Sequence, residues 1–267
     1  MLRVRQMVGA FVGALAAVVP SVLLGGVAAA APAPVDYVAL GDSYASGTGT
    51  GQYDSGSGNC KRSPRAYAAL WSSTHDVSSF AFAACSGATT ADVLANQVSA
   101  LSAATDLVTL SIGGNDAGFG EVVTTCTLGS DQDCATAVAD KQQFINAELP
   151  ALLDQTYRAV DAAAPSARVV VLGYPRLFES GSCFGGLSQT KRTTLNQAAD
   201  LLNTVVQQRV GTAGFEFLDV RPAFAGHGIC ASSAWINGLT FPLGDSYHPN
   251  TNGHRNGFLP ALTSLIG

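Results

Sequence analysis

Two short segments hold a hydroxyl and an imidazole of the kind that can move an acyl group. Ser43 closes Gly41-Asp42-Ser43, and about 200 residues later Asp245-Ser246-Tyr247-His248 sets a carboxylate three residues before a histidine. A serine hydroxyl is a weak nucleophile until a base takes its proton. Histidine can be that base near neutral pH, and a carboxylate beside it can orient the imidazole and stabilise its charged form. The residue types therefore point to nucleophilic catalysis, with Ser43, His248 and Asp245 as candidates. Alone, Gly-Asp-Ser reads equally well as an ordinary turn, since all three residues favour turns.

The segments around these residues read as a positioning frame. Residues 35–40, Val-Asp-Tyr-Val-Ala-Leu, lie between Pro34 and Gly41 and suit a buried strand. Ser43 would then stand just past a strand's carboxyl end, where open α/β sheets carry their sites. Residues 106–112 read as another buried strand, ending in Gly113-Gly114-Asn115-Asp116, and the strand-like 77–83 leads to Cys85-Ser86-Gly87-Ala88-Thr89-Thr90. Three strands thus each deliver a small-residue turn carrying a polar group.

With these turns in order, the chain resembles the SGNH hydrolases, also called the GDSL lipase/esterase family. Its four blocks carry Ser, Gly, Asn and His, matched here by Ser43, Gly87, Asn115 and His248. Similarity continues through Tyr44-Ala45-Ser46-Gly47 and is closest to secreted bacterial lipases and phospholipases of the family. The resemblance implies Ser43 as nucleophile and His248 as base. It implies an oxyanion hole from the backbone N–H of Ser43, the backbone N–H of Gly87 and the side-chain amide of Asn115. Asp245 is either the residue that orients His248 or a structural residue beside a backbone carbonyl that does so. Asp42 is expected to tie down the turn, and Asp116 to cap the helix after it. No serine lies in Gly-x-Ser-x-Gly, the elbow of α/β-hydrolases. The absence of His-Glu-x-x-His argues against a zinc hydrolase.

Of 267 residues, 47% are hydrophobic and 12% charged, a core-rich composition. The N-terminus reads as a secretory signal over residues 1–30, with Arg3 and Arg5 before a long apolar stretch and Ala28-Ala29-Ala30 at its end. A retained membrane anchor is the alternative, because the stretch is long enough to span. Loss of residues 1–30 removes two arginines and no acid, moving the formal charge from −5 to −7. An acidic chain without a basic cluster is a poor nucleic-acid binder. A lipid would have to be met through apolar contacts, at most transiently.

The six cysteines, Cys60, Cys85, Cys126, Cys134, Cys183 and Cys230, all follow the signal. An even count in an exported chain suggests disulfides, and six cysteines allow 15 pairings. The family resemblance implies sequential pairing. No Cys-x-x-Cys occurs, so a metal site is not expected, nor is any cofactor.

Strand-like and helix-like runs alternate along residues 31–267. This predicts one domain, a three-layer α/β/α sandwich around a mostly parallel five-stranded sheet. Residues 168–172 and 216–220 supply the last two strands. Helices are expected over about 63–71, about 134–164 with a bend or break at Pro150, about 188–211, and from after Pro249 to about 266. Residues 47–58 read as a flexible glycine-rich rim. His75, His227 and His254 suit structural roles, His254 facing solvent. Phe119, Tyr174, Phe178, Phe184 and Phe241 are candidates for an acyl groove. The expected activity is that of a secreted, monomeric ester hydrolase acting on acyl lipids. A carbohydrate esterase of the same fold and a noncatalytic binding module are the rivals.

Overall fold

The apolar runs become five strands: β1 (Val35–Gly41), β2 (Val77–Phe82), β3 (Leu107–Ser111), β4 (Arg168–Leu172) and β5 (Glu216–Leu218). In this computed structural model the described residues are 33–184 and 186–267, with Met1, Leu2, Gln6, Met7, Gly9, Ala10 and Gly13. The chain divides into Met1–Pro32 and Ala33–Gly267. Most of the expected export segment lies outside the described residues, and every strand and helix below belongs to the second unit.

The sheet order is β2-β1-β3-β4-β5, with all four pairings parallel. All of β3 is buried, and β4 is buried beyond Arg168. Strands covered on both faces read as continuous apolar runs, which is why these two stand out in the sequence. The strand order reverses direction at β1, so a crevice opens between β1 and β3 at their carboxyl ends. Gly41 pairs with Ser111, which brings those ends level.

Nine helices are seen among the described residues: α1 (Ser43–Ser46), α2 (Tyr67–Ser72), α3 (Thr90–Asn96), α4 (Phe119–Leu128), α5 (Asp131–Ala147), α6 (Leu149–Ala163), α7 (Gln189–Ala213), α8 (Arg221–Phe224) and α9 (Leu259–Ile266). Helices α3 to α7 pack together as one layer, and α2, α8 and α9 as the other. The long helical segment is broken, as expected, but two residues before Pro150, into α5 and α6. A capping box between Ser130 and Asp133 starts α5. The chain breaks at Glu148, and Pro150 sits in the first turn of α6, where its missing N–H costs nothing. Helix α2 starts at Tyr67, after a turn closed by the Ala66 N–H on Ser63 O. The fifth strand stops at Leu218 because Asp219 turns to hold Arg221.

Two expectations fail here. Residues 47–50 are not a flexible rim; they are buried, with Thr50 Oγ1 donating to Gly47 O at 2.8 Å and lying 2.8 Å from Ser63 Oγ. His254 does not face solvent. The final helical run passes through a π-helical stretch, Gly253–Phe258, which turns His254 into the core against Tyr67 and Phe258. Disulfides join Cys60 to Cys85, Cys126 to Cys134 and Cys183 to Cys230.

Candidate active site

Ser43 opens α1 directly after β1. Asp42 caps this short helix, its Oδ1 accepting from the Tyr44 N–H at 2.9 Å and its Oδ2 from the Tyr174 hydroxyl at 2.5 Å. Burial pushes the Asp42 carboxyl up to about 7, against the lowering effect of these donors. Gln97, buried at the end of α3, clamps the preceding residue: Gly41 N–H donates to its Oε1, and its Nε2 donates to Gly41 O. The serine is thus fixed on a turn braced from both sides.

His248 meets it from the far end of the chain. Its Nε2 lies 2.8 Å from Ser43 Oγ, and its Nδ1 lies 2.9 Å from the carbonyl of Ser246. A carbonyl can only accept, so Nδ1 carries the proton and Nε2 presents its lone pair to the serine hydroxyl. Burial lowers the imidazole pKa to about 4; the Ser246 carbonyl and the Asp245 charge raise it, and Lys61 lowers it. The ring lies against Tyr44 and edge-on to Phe119.

Of the two arrangements open for Asp245, the geometry matches the one in which a backbone carbonyl meets the imidazole. Both imidazole nitrogens are taken by Ser43 and Ser246, and the carboxylate points to Tyr53 and Lys61. It accepts from Tyr53 Oη at 2.7 Å and from Lys61 Nζ at 2.8 Å. A one-turn 3₁₀ segment, Leu243–Asp245, aims it there, and a left-handed backbone at Tyr247 then swings His248 toward Ser43. In irregular chain, a separation of three residues does not put two side chains on one face.

Gly87 and Asn115 complete the cleft, which is lined by Ser43, Gly87, Asn115, Phe119, Tyr247 and His248 among others. No partner is seen for the N–H of Ser43 or of Gly87 among the described residues. Gly87 has φ of +84°, which suits glycine, and open space where a Cβ would be. Asn115 Nδ2 donates to Ala88 O at 2.9 Å, which fixes the amide and leaves its second N–H free for the cleft. Asp116 does not cap the helix after it. It accepts from the backbone N–H and the hydroxyl of Thr90 at the start of α3, tying the Asn115 turn to the Gly87 turn.

A second cavity opens beside Ser43 and Asn115 and runs between α5 and α7, walled by Val138, Ile145, Leu195 and Leu202. Its volume is about 70 Å³. Phe119 and Tyr174 line it, whereas Phe184 and Phe241 are exposed and Phe178 is buried outside it.

A family model described as GDSL-like lipase/acylhydrolase matches residues 39–255. The chain belongs to this family. It is similar to a lipase of Streptomyces rimosus, 50% identical over 250 residues, with 92% of this chain and 93% of the relative covered. Among solved structures, the extracellular lipase of Streptomyces rimosus superposes with a TM-score of 0.84 at 51% identity, covering 86% of this chain and 99% of that one. Phospholipase A1 of Streptomyces albidoflavus gives 0.85 at 50% identity, covering 87% and 99%. An acetylxylan esterase of Geobacillus stearothermophilus, at 17% identity and a TM-score of 0.54, shares the fold alone.

In this GDSL-like hydrolase, residues outside the four family blocks hold the site together. Asn237 Nδ2 donates to Gly49 O at 2.8 Å and to Asp245 O at 3.2 Å, and Asn237 also exchanges backbone bonds with Tyr247 and His248. Tyr44 Oη donates to Tyr247 O at 2.7 Å, and Tyr247 Oη meets Thr127 Oγ1 at 2.7 Å. The left-handed Tyr247 is therefore held at its N–H, its carbonyl and its hydroxyl, as a strained residue must be. Gln97, Asn237, Lys61 and Tyr53 stand in no local pattern that sequence could flag. Tyr44 follows Ser43 directly, but nothing there indicates that it reaches Tyr247.

Proposed function

We propose that this serine carboxylic-ester hydrolase acts on acyl lipids through a Ser43–His248 dyad. The observation that carries the reading is the 2.8 Å contact of His248 Nε2 with Ser43 Oγ beside an apolar cavity. Ser43 Oγ attacks the ester carbonyl while Nε2 takes its proton, forming a tetrahedral oxyanion. The N–H groups of Ser43 and Gly87 and the free Asn115 amide N–H stabilise that oxyanion. His248 returns the proton to the leaving alcohol, and water activated in the same way releases the acid. The Ser246 carbonyl holds the tautomer and shares the charge of the imidazolium. A low imidazole pKa keeps His248 neutral, and so able to accept, throughout the neutral range.

The cavity's aliphatic walls favour an acyl chain over an acetylated sugar, whose hydroxyls would find few partners there. The extracellular relative and the three disulfides support export, with residues 1–30 as its signal. An active-serine phosphonate should add one adduct, on Ser43, and abolish hydrolysis of p-nitrophenyl esters. Labelling of another residue, or turnover surviving in Ser43→Ala, would refute the dyad. Asn115→Ala should lower kcat by roughly 10²–10³ with little change in KM.

A further inference from the structure

The mouth of the cleft carries apolar side chains that the dyad does not use. Leu128 ends α4, while Leu239, Phe241 and Leu243 stand on the loop leading to His248, and all four are 58–86% exposed. Leu128, Leu239 and Leu243 line the same opening as Ser43 and His248, with Phe241 between the two loop leucines. Among the described residues of 33–267, Phe184 is the one other large apolar side chain so exposed. Single exposed leucines are ordinary; four gathered at one opening mark a contact surface.

The surroundings of this patch select its partner. No charged residue lies between Glu121 and Asp131, and none from Gly228 to Gly244, so both segments that bear the patch are uncharged. The chain as a whole is acidic. Lys61 Nζ, which lies beside Gly244, is paired with Asp245 at 2.8 Å, so the patch offers little to an anionic headgroup or a charged protein face. It gains free energy by placing aliphatic and aromatic groups among acyl chains.

We propose that Leu128, Leu239, Phe241 and Leu243 dock the protein onto an electrically neutral lipid surface, seating the cleft over the layer from which acyl chains enter. This rests on the ester-hydrolase reading of the cleft. Docking is apolar, so it is insensitive to salt and independent of anionic lipid, unlike attachment through basic residues.

The test uses the intact protein carrying Ser43→Ala, with phosphatidylcholine vesicles as the probe. It should sediment with the vesicles equally at low and high salt. Phe241→Ser in that background should weaken binding by about tenfold or more. Phe241→Trp should keep binding, with the emission of the introduced indole shifting to the blue on the vesicles. In the active enzyme, Phe241→Ser should leave hydrolysis of a soluble short-chain ester unchanged and depress hydrolysis of vesicle lipid. The proposal is overturned by no vesicle binding, by binding that requires anionic lipid, by an introduced indole in Phe241→Trp whose emission does not move, or by a dimer that Phe241→Ser dissociates. Failure of the wild-type protein to cleave even the soluble ester would refute the functional reading instead, while the vesicle measurements still decide the patch.

Discussion

The imidazole of His248 is held at both nitrogens, by Ser43 on one side and the Ser246 carbonyl on the other. Asp245 acts on it only across space, with its charge shared by Lys61 and Tyr53. Asp245→Asn should therefore lower kcat less than tenfold, against about 10⁴ where a carboxylate holds the histidine. Steady-state kinetics on a short-chain ester decides this, and a loss near 10⁴ would make Asp245 the orienting group. The pH profile is a second check. His248 accepts a proton only when neutral, and burial sets its pKa at about 4. kcat/KM should then hold on acidification well below pH 6 and fall only as pH approaches about 4. An acid limb centred near 6.5 would mean that the imidazole is solvated.

At the scale of elements, the loop after α1 is a packed wedge. Gly49 has φ of +96°, and a Cβ there would come within 2.8 Å of His248 Cβ and 2.7 Å of Pro249 O. Its carbonyl is also the acceptor for Asn237, and its N–H donates to Tyr53 Oη at 3.0 Å. Gly49→Ala must therefore push the His248 segment away from Ser43. A displacement of about 1 Å costs on the order of 10²-fold in rate, so kcat should fall by about that much in protein that remains folded by circular dichroism. Wild-type kcat in Gly49→Ala would show that the loop gives way instead. The Cys60–Cys85 bridge bears on the same frame, since it joins the segment holding Lys61 to the turn holding Gly87.

For the whole molecule, His254 makes stability depend on pH. It is fully buried, and burial lowers its pKa to about 3, while in the unfolded chain it titrates near 6.5. The unfolded state then binds a proton that the folded state refuses, so stability is complete above about pH 6.5 and is lost as pH falls toward 3. The slope from this one group is at most about 1.4 kcal/mol per pH unit. His248 contributes in the same direction. Asp42, raised in the folded state, contributes in the opposite one across the range from about 4 to 7. The difference between wild type and His254→Asn isolates the buried histidine: denaturant midpoints taken from pH 7 to 4.5 should fall less steeply in the variant. Parallel curves would mean that His254 takes up its proton within the fold.

Ser43, Gly87 and Asn115 were legible in the sequence because each sits among small residues after a strand-like run; His248 was legible as the histidine of the last block, and the roles of all four came from the resemblance to the family. The parallel sheet was legible for a local reason too, since strands buried on both faces leave largely apolar runs such as 107–111 and 169–172. What only the tertiary structure decided depends on directions set by distant chain. The aim of Asp245 follows from a 3₁₀ turn and from Tyr53 and Lys61, more than 180 residues away. The choice of Ser246 O follows from a left-handed Tyr247 that Tyr44, Thr127 and Asn237 hold in place. The burial of His254 follows from a π-helical stretch packed on α2. Side-chain direction in irregular backbone is a property of the packing around it, and residue spacing carries no record of that packing.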